Sequence, residues 1–189
     1  MGAADAHHVS SSARPGIEPF DLGAMPKKRW MCTVDALLVR APLRRIFEFA
    51  REVDRWPEHL PHYRWVRFHQ RASDGGGLVE MAAWRPFASL RWPTWWMSEM
   101  SVNESVPNVR FRHVAGITKG MEVEWSFVPQ GDDATRVRIV HLWNGPSVPL
   151  LGVIAAKAVI GPVFVHGIAS RTLAGLAARA ERGPGLSRG

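Results

Sequence analysis

The polarity of this chain alternates with a period of two in three stretches: Val109-Arg110-Phe111-Arg112-His113, Met121-Glu122-Val123-Glu124-Trp125-Ser126-Phe127 and Thr135-Arg136-Val137-Arg138-Ile139-Val140-His141. Successive side chains of a strand point to opposite faces. Phe111, His113, Met121, Val123, Trp125, Phe127, Val137, Ile139, His141 and Trp143 therefore share one side, and Arg110, Arg112, Glu122, Glu124, Arg136 and Arg138 the other. An acidic strand between two basic ones sets a register, with Glu124 expected opposite both Arg110 and Arg138. That register puts Met121 between His113 and His141. Two histidines are then expected at one level of the apolar face, ~10 Å apart across three strands.

The same pattern extends along the chain. A first strand is expected over Met31 to Val39. Pro42 then opens a helix whose apolar stripe is Leu43, Ile46, Phe47 and Ala50. Asp54 is placed to cap a short second helix, Arg55 to Leu60. Strands follow at His62 to Arg71, Gly77 to Pro86, Thr94 to Asn103, Val109 to Ala115, Met121 to Val128 and Thr135 to Trp143. Turn residues separate them, as in Asp74-Gly75-Gly76-Gly77 and Gln130-Gly131-Asp132-Asp133, so consecutive strands should be antiparallel. Phe87 to Trp92 is left unassigned, because Trp92-Pro93 resists a central ladder position. A helical region beyond Pro149, divided or kinked at Pro162, ends near Glu181. The order is strand, two helices, six strands and a long helix. This is an α+β arrangement in which a curved antiparallel sheet wraps the C-terminal helix. Residues 30–182 form the domain, with disordered tails at 1–29 and 183–189.

Composition narrows the options only modestly. The net charge of +7 would suit nucleic acid or anionic lipid, yet several arginines already have glutamates to pair with, so nucleic acid is not the expected partner. One cysteine, Cys32, excludes an internal disulfide and fits a reducing, cytoplasmic compartment. No secretory signal is visible. Val148 to Ile168 has the length of a membrane span, but Lys157 and Gly161-Pro162 interrupt it. Lys27-Lys28-Arg29 beside Trp30, and the Trp92 to Trp96 cluster, leave peripheral membrane contact open.

Within this frame Val53-Asp54-Arg55-Trp56-Pro57-Glu58-His59-Leu60-Pro61 resembles the Asp-x-x-Pro-Glu stretch of the START-like, helix-grip (SRPBCC) superfamily, in its polyketide cyclase/dehydrase and coenzyme Q-binding branch. The element order from Trp30 to Arg182 is similar to that family's. The resemblance implies an apolar cavity between the sheet and the last helix, holding a lipid, polyketide, isoprenoid or aromatic molecule. A carrier, chaperone or sensor role is expected. A polyketide cyclase/aromatase-type enzyme is the first alternative, and a non-enzymatic protein binding RNA, ribosome or membrane the second. No catalytic residue is carried over by the resemblance, since fold does not fix function.

The residues expected to line such a cavity are Phe111, His113, Met121, Val123, Trp125, Ile139, His141 and Trp143. His113 and His141 could bond a ligand oxygen or exchange a proton with it; they could equally be satisfied core histidines. Arg85, sharing a face with Val79, Met81 and Ala83, is the third candidate for catalysis. Lys157, His166 and Arg171 on the last helix rank below these. His113 and His141 lack a third ligand at a recognisable spacing, His59 and His62 have a proline between them and His7-His8 lies in the tail, so no metal site is expected. No cofactor is implied, and no nucleophile elbow or phosphate loop occurs. Nine tryptophans could either bind a flat ligand or fill the hollow. If Trp125 and Trp143 both stood at its centre, a long lipid could not enter.

Overall fold

The computed structural model describes residues 17–87, 90–145 and 162–182; side chains at 85–92 and 162–166 lie outside that description. Seven strands form one antiparallel sheet: β1 (Met31–Val39), β2 (Tyr63–Arg71), β3 (Gly77–Phe87), β4 (Leu90–Asn103), β5 (Asn108–Gly116), β6 (Glu122–Pro129) and β7 (Thr135–Trp143). Their spatial order is β1-β7-β6-β5-β4-β3-β2, so β1 and β2 are the edges. Between β1 and β2 run α1 (Leu43–Arg51), a 3₁₀ turn (Val53–Arg55) and α2 (Trp56–His59); α3 (Pro162–Glu181) closes the fold. This is the α+β helix-grip arrangement. Register shifts at Tyr63/Trp65 and Phe68/Gln70 bulge β2, and one opposite Met97/Ser98 bulges β5, bending the sheet there.

The helices sit where their periodicity requires. Ile46, Phe47 and Ala50 of α1 are buried, and Phe47 meets Phe127 of the sheet edge-on at 5.3 Å. On α3, Ala169, Leu173, Leu176 and Ala180 recur at helical spacing and are buried against the sheet's inner face and α1. Gly175 faces Leu60 so closely that an added Cβ would stand 2.3 Å from Leu60 Cδ2. The missing side chain leaves the space that the Leu60 side chain, just after α2, occupies. The end of α3 is pinned by Glu181, whose carboxylate accepts the Arg40 amide at 2.9 Å.

The β5–β6 register is the expected one, with Arg110 opposite Glu124. The β6–β7 register is not: Glu124 faces Val140, and Arg138 faces Ser126. The hairpin closes at Pro129 opposite Thr135, with Gln130 N–H bonded to the Ala134 carbonyl and Gly131 at φ +77°. Turn geometry has overridden charge pairing here, by two residues. Because two is the side-chain period, every residue kept its face. His113 and His141 are consequently not level: His141 lies opposite Val123, whereas the His113 amide bonds to Met121, an offset of about 6–7 Å along the strands. The ion-paired network on the outer face runs instead through β4, β5 and β6, joining Glu99, Arg112, Glu122, Arg110 and Glu124.

Three local expectations also change. β4 begins at Leu90, not Thr94, and pairs with β3 through Trp84 opposite Pro93. Pairing of β4 to β5 stops at Trp96 opposite Gly116, so Pro93 lies where β4 is an edge and owes no hydrogen bond on that side. Asp54 does not cap α2, which has no side-chain cap; it sits within the 3₁₀ turn and its carboxylate pairs with Arg71. Part of the stretch read as an N-terminal tail makes fold contacts: Ile17 bridges to Ala72, Leu22 is buried, and the Leu22 carbonyl accepts from Arg112 at 2.6 Å. The segment thereby covers the outer face over β5.

Residues 1–16 of the expected N-terminal tail, the expected tail at 183–189, and the helical stretch before Pro162 with Lys157 lie outside the described residues. No helix among those described is long and apolar enough to cross a membrane.

Candidate functional site

Between the concave face and α3 lies a cavity of about 70 Å³. Its walls come from every layer of the fold. Strand residues Tyr63, Met81, Trp96, Phe111, His113, Val123, Trp125 and His141 form the floor, together with Met121 and Thr118 from the β5–β6 turn. Trp56 of α2 closes one side, and Ile168, Ala169 and Thr172 of α3 form the roof. Four large rings make a continuous box: Trp56 lies 5.2 Å from Tyr63 and 5.7 Å from Trp125, and Tyr63 lies 6.3 Å from Trp96, centre to centre. Trp56 is fixed by its indole N–H, which donates to the Phe49 carbonyl at 2.9 Å.

Polar atoms enter this box at two ends. At one, His113 stacks on Trp96 at 5.9 Å with ring planes 13° apart, and its Nδ1 is 2.6 Å from Thr118 Oγ1. Next to it His141 Nδ1 is 3.4 Å from Thr33 Oγ1. At the other end Thr172 Oγ1 is 2.8 Å from the Ile168 carbonyl, 3.0 Å from His62 Nε2 and 3.4 Å from Tyr63 Oη. A hydroxyl has one proton, which Thr172 shares between the Ile168 carbonyl and the Tyr63 oxygen, leaving its lone pairs to accept from His62.

All the titratable groups here are neutral at pH 7. Burial lowers both His113 and His141 to about 3, and repulsion from a protonated His141 lowers His113 further. His62 falls to about 4 through burial and the nearby Arg171. Burial raises the Tyr63 phenol, against the opposing effect of its Thr172 contact. The site is therefore an uncharged, mainly aromatic chamber. With Nδ1 engaged, the Nε2 of His113 and of His141 has no hydrogen-bond partner among the described residues.

Of the residues expected to line the cavity, Phe111, His113, Met121, Val123, Trp125 and His141 do so. Ile139 and Trp143 do not: Ile139 is packed in the core, and the Trp143 indole turns to donate to the Lys119 carbonyl at 2.9 Å. Trp143 thus braces the β5–β6 turn from outside the chamber. Arg85 stands in β3 opposite Trp92, with its side chain outside the description, as is that of His166. Arg171 is exposed on α3. The expected lining did not include Trp56, Tyr63, Met81, Trp96, Thr118, Ile168, Ala169 or Thr172. Two signals were present: Trp56 lies inside the Asp-x-x-Pro-Glu stretch, and Trp96 falls in phase with Ser98 and Met100 on the buried face of β4.

Solved structures share this architecture. The chain is similar to the Zhui aromatase/cyclase from Streptomyces sp. R1128, with TM-score 0.70 and 16% identity over 84% of this chain and 98% of that one. TTHA0849 from Thermus thermophilus aligns with TM-score 0.66 and 19% identity over 79% and 96% of the two chains. A START superfamily protein from Mycobacterium smegmatis gives 0.62 and 14% over 80% and 97%. At these identities the likeness is one of fold. No curated protein matches the chain by sequence. A family model does match, over residues 39–163, and it does not single out the coenzyme Q-binding branch. The chain belongs to the polyketide cyclase/dehydrase and lipid transport family, on the START-like fold.

Proposed function

We propose that the chamber binds a hydrophobic small molecule carrying a carbonyl or hydroxyl oxygen, and that the protein acts as its carrier or sensor. The observation that supports this most is a mainly aromatic, partly open chamber with two neutral histidines whose Nε2 atoms are unused by the described residues. Imidazoles in that state offer a directional bond to a neutral oxygen without charge. Size restricts the guest. Pockets for drug-sized ligands measure about 300–1,000 Å³, far above the 70 Å³ found here. A compact ring, or the end of a longer molecule, suits the space. Met81 and Met121 in the wall are unbranched and can repack around it.

The pKa directions weigh against acid–base catalysis by His113 and His141. A general base works best with a pKa near the working pH, and rings lowered to about 3 are weak bases. A cyclase reading therefore requires bound substrate to raise them, and binding alone requires nothing further.

The test is a paired titration with phenol and benzene. Phenol should bind the wild type more tightly by a factor of about 5–10, the worth of one net hydrogen bond. The preference should vanish in the His113→Leu/His141→Leu double variant while benzene affinity is kept. An unchanged preference in that variant would remove the histidines from ligand recognition.

A further inference from the structure

The reverse side of the cavity wall carries a second, separate surface. On the outer face of β2, β3 and β4, Trp65, Ala82 and Trp95 stand in one cross-strand row. Ala82 is fully buried between the two indoles, whereas Trp95 is 47% exposed. In the adjoining row Trp84 lies opposite Pro93 on the part of β4 that extends beyond β5. Three tryptophans thus share a ledge that the described part of the N-terminal segment, lying over β5, does not cover.

Two arginines complete it. The Arg64 guanidinium stacks over Trp84 at 4.6 Å and that of Arg67 over Trp65 at 5.0 Å. Both arginines are exposed, and neither has a carboxylate within ion-pairing distance among the described residues. Glu80, on the same face opposite Arg67, is engaged by His69 at 2.9 Å.

We propose that this ledge docks on an anionic lipid bilayer. Indoles settle at the boundary of headgroups and acyl chains, and guanidinium edges pair with lipid phosphates. The arrangement suits a membrane better than single-stranded nucleic acid. Base stacking needs open ring faces, and the arginines already occupy faces of Trp65 and Trp84. Their N–H edges and the indole of Trp95 have no hydrogen-bond partner among the described residues and can meet a headgroup layer. The surface does not depend on the chamber being a ligand site.

Sedimentation of the full chain with vesicles tests it. The protein should pellet with phosphatidylcholine/phosphatidylserine vesicles and weakly with phosphatidylcholine alone. Arg64→Gln/Arg67→Gln should reduce affinity for the anionic vesicles by roughly thirtyfold, about fivefold per arginine. Trp95→Ala should weaken binding to both compositions. Arg136→Gln/Arg138→Gln, exposed on the outer face of β7, should leave binding unchanged. Circular dichroism of each variant confirms that it is folded. Absence of pelleting, or pelleting indifferent to the Arg64/Arg67 and Trp95 changes, overturns the proposal. So does a single-stranded RNA that binds through these residues when vesicles do not.

Discussion

Mild acid should unfold this protein through its buried histidines, and the size of the effect follows from the chamber. In an unfolded chain His113 and His141 take up a proton near pH 6.5; folded, burial holds both to about 3. Above pH 6.5 neither state is protonated and stability is intact. As pH falls below 6.5 the unfolded state gains protons that the native state refuses, so each histidine removes about 1.4 kcal/mol per pH unit until about pH 3. From pH 6.5 to 5 that is about 2 kcal/mol for each ring, and about 4 for both. Domains of this kind carry about 5–15 kcal/mol in total, so the loss is a large share. Urea titrations at pH 7 and pH 5 measure it. His113→Asn, which does not titrate and can still bond to Thr118, should lose about 2 kcal/mol less between the two pH values than the wild type. Carboxylates titrate equally in both proteins and cancel. An identical loss in the two proteins would mean that His113 is charged or solvated in the native state, and the uncharged chamber would be refuted.

Other consequences concern the frame. Leu176→Ala empties a fully buried position on α3 and should cost about 2–5 kcal/mol in urea unfolding, without moving the outer-face strands. Glu122→Gln withdraws the central carboxylate from Arg110 and Arg112. Because it is nearly buried, the loss should be about 3–5 kcal/mol, as when one partner of a buried pair is removed, and only weakly relieved by salt. A loss under ~1 kcal/mol would class the network with ordinary surface pairs.

Much of this architecture is legible in the sequence because the period-two signal is strong where one face is buried. Phe111, Val123 and Ile139 take their side from alternation alone, and that side holds even through a two-residue slip in pairing. The slip itself is not legible. Charges at the surface contribute less than about 1 kcal/mol per cross-strand pair, and the Gln130 to Ala134 loop decides the outcome. Likewise Pro93 counts as a strand breaker only so long as β4 is flanked on both sides. The site divides in the same way. Strand residues of the wall follow from parity, whereas Trp56, Ile168, Ala169 and Thr172 reach it from helices whose rotation depends on packing. The close approach at Gly175, set by Leu60, has no signature in either segment alone. Trp143 shares its parity with His141, yet its indole is drawn away by a carbonyl in the neighbouring turn.

The most direct trial of ligand binding is native mass spectrometry of the protein purified without detergent, set beside the Ala169→Leu variant, which pushes three carbons into the 70 Å³ chamber. The wild type should carry a bound apolar molecule, or take up added phenol, and the variant should show the bare chain mass under both conditions. Equal loading of the two proteins would place any guest outside the chamber, and a bare wild type that also ignores phenol would contradict the proposed function.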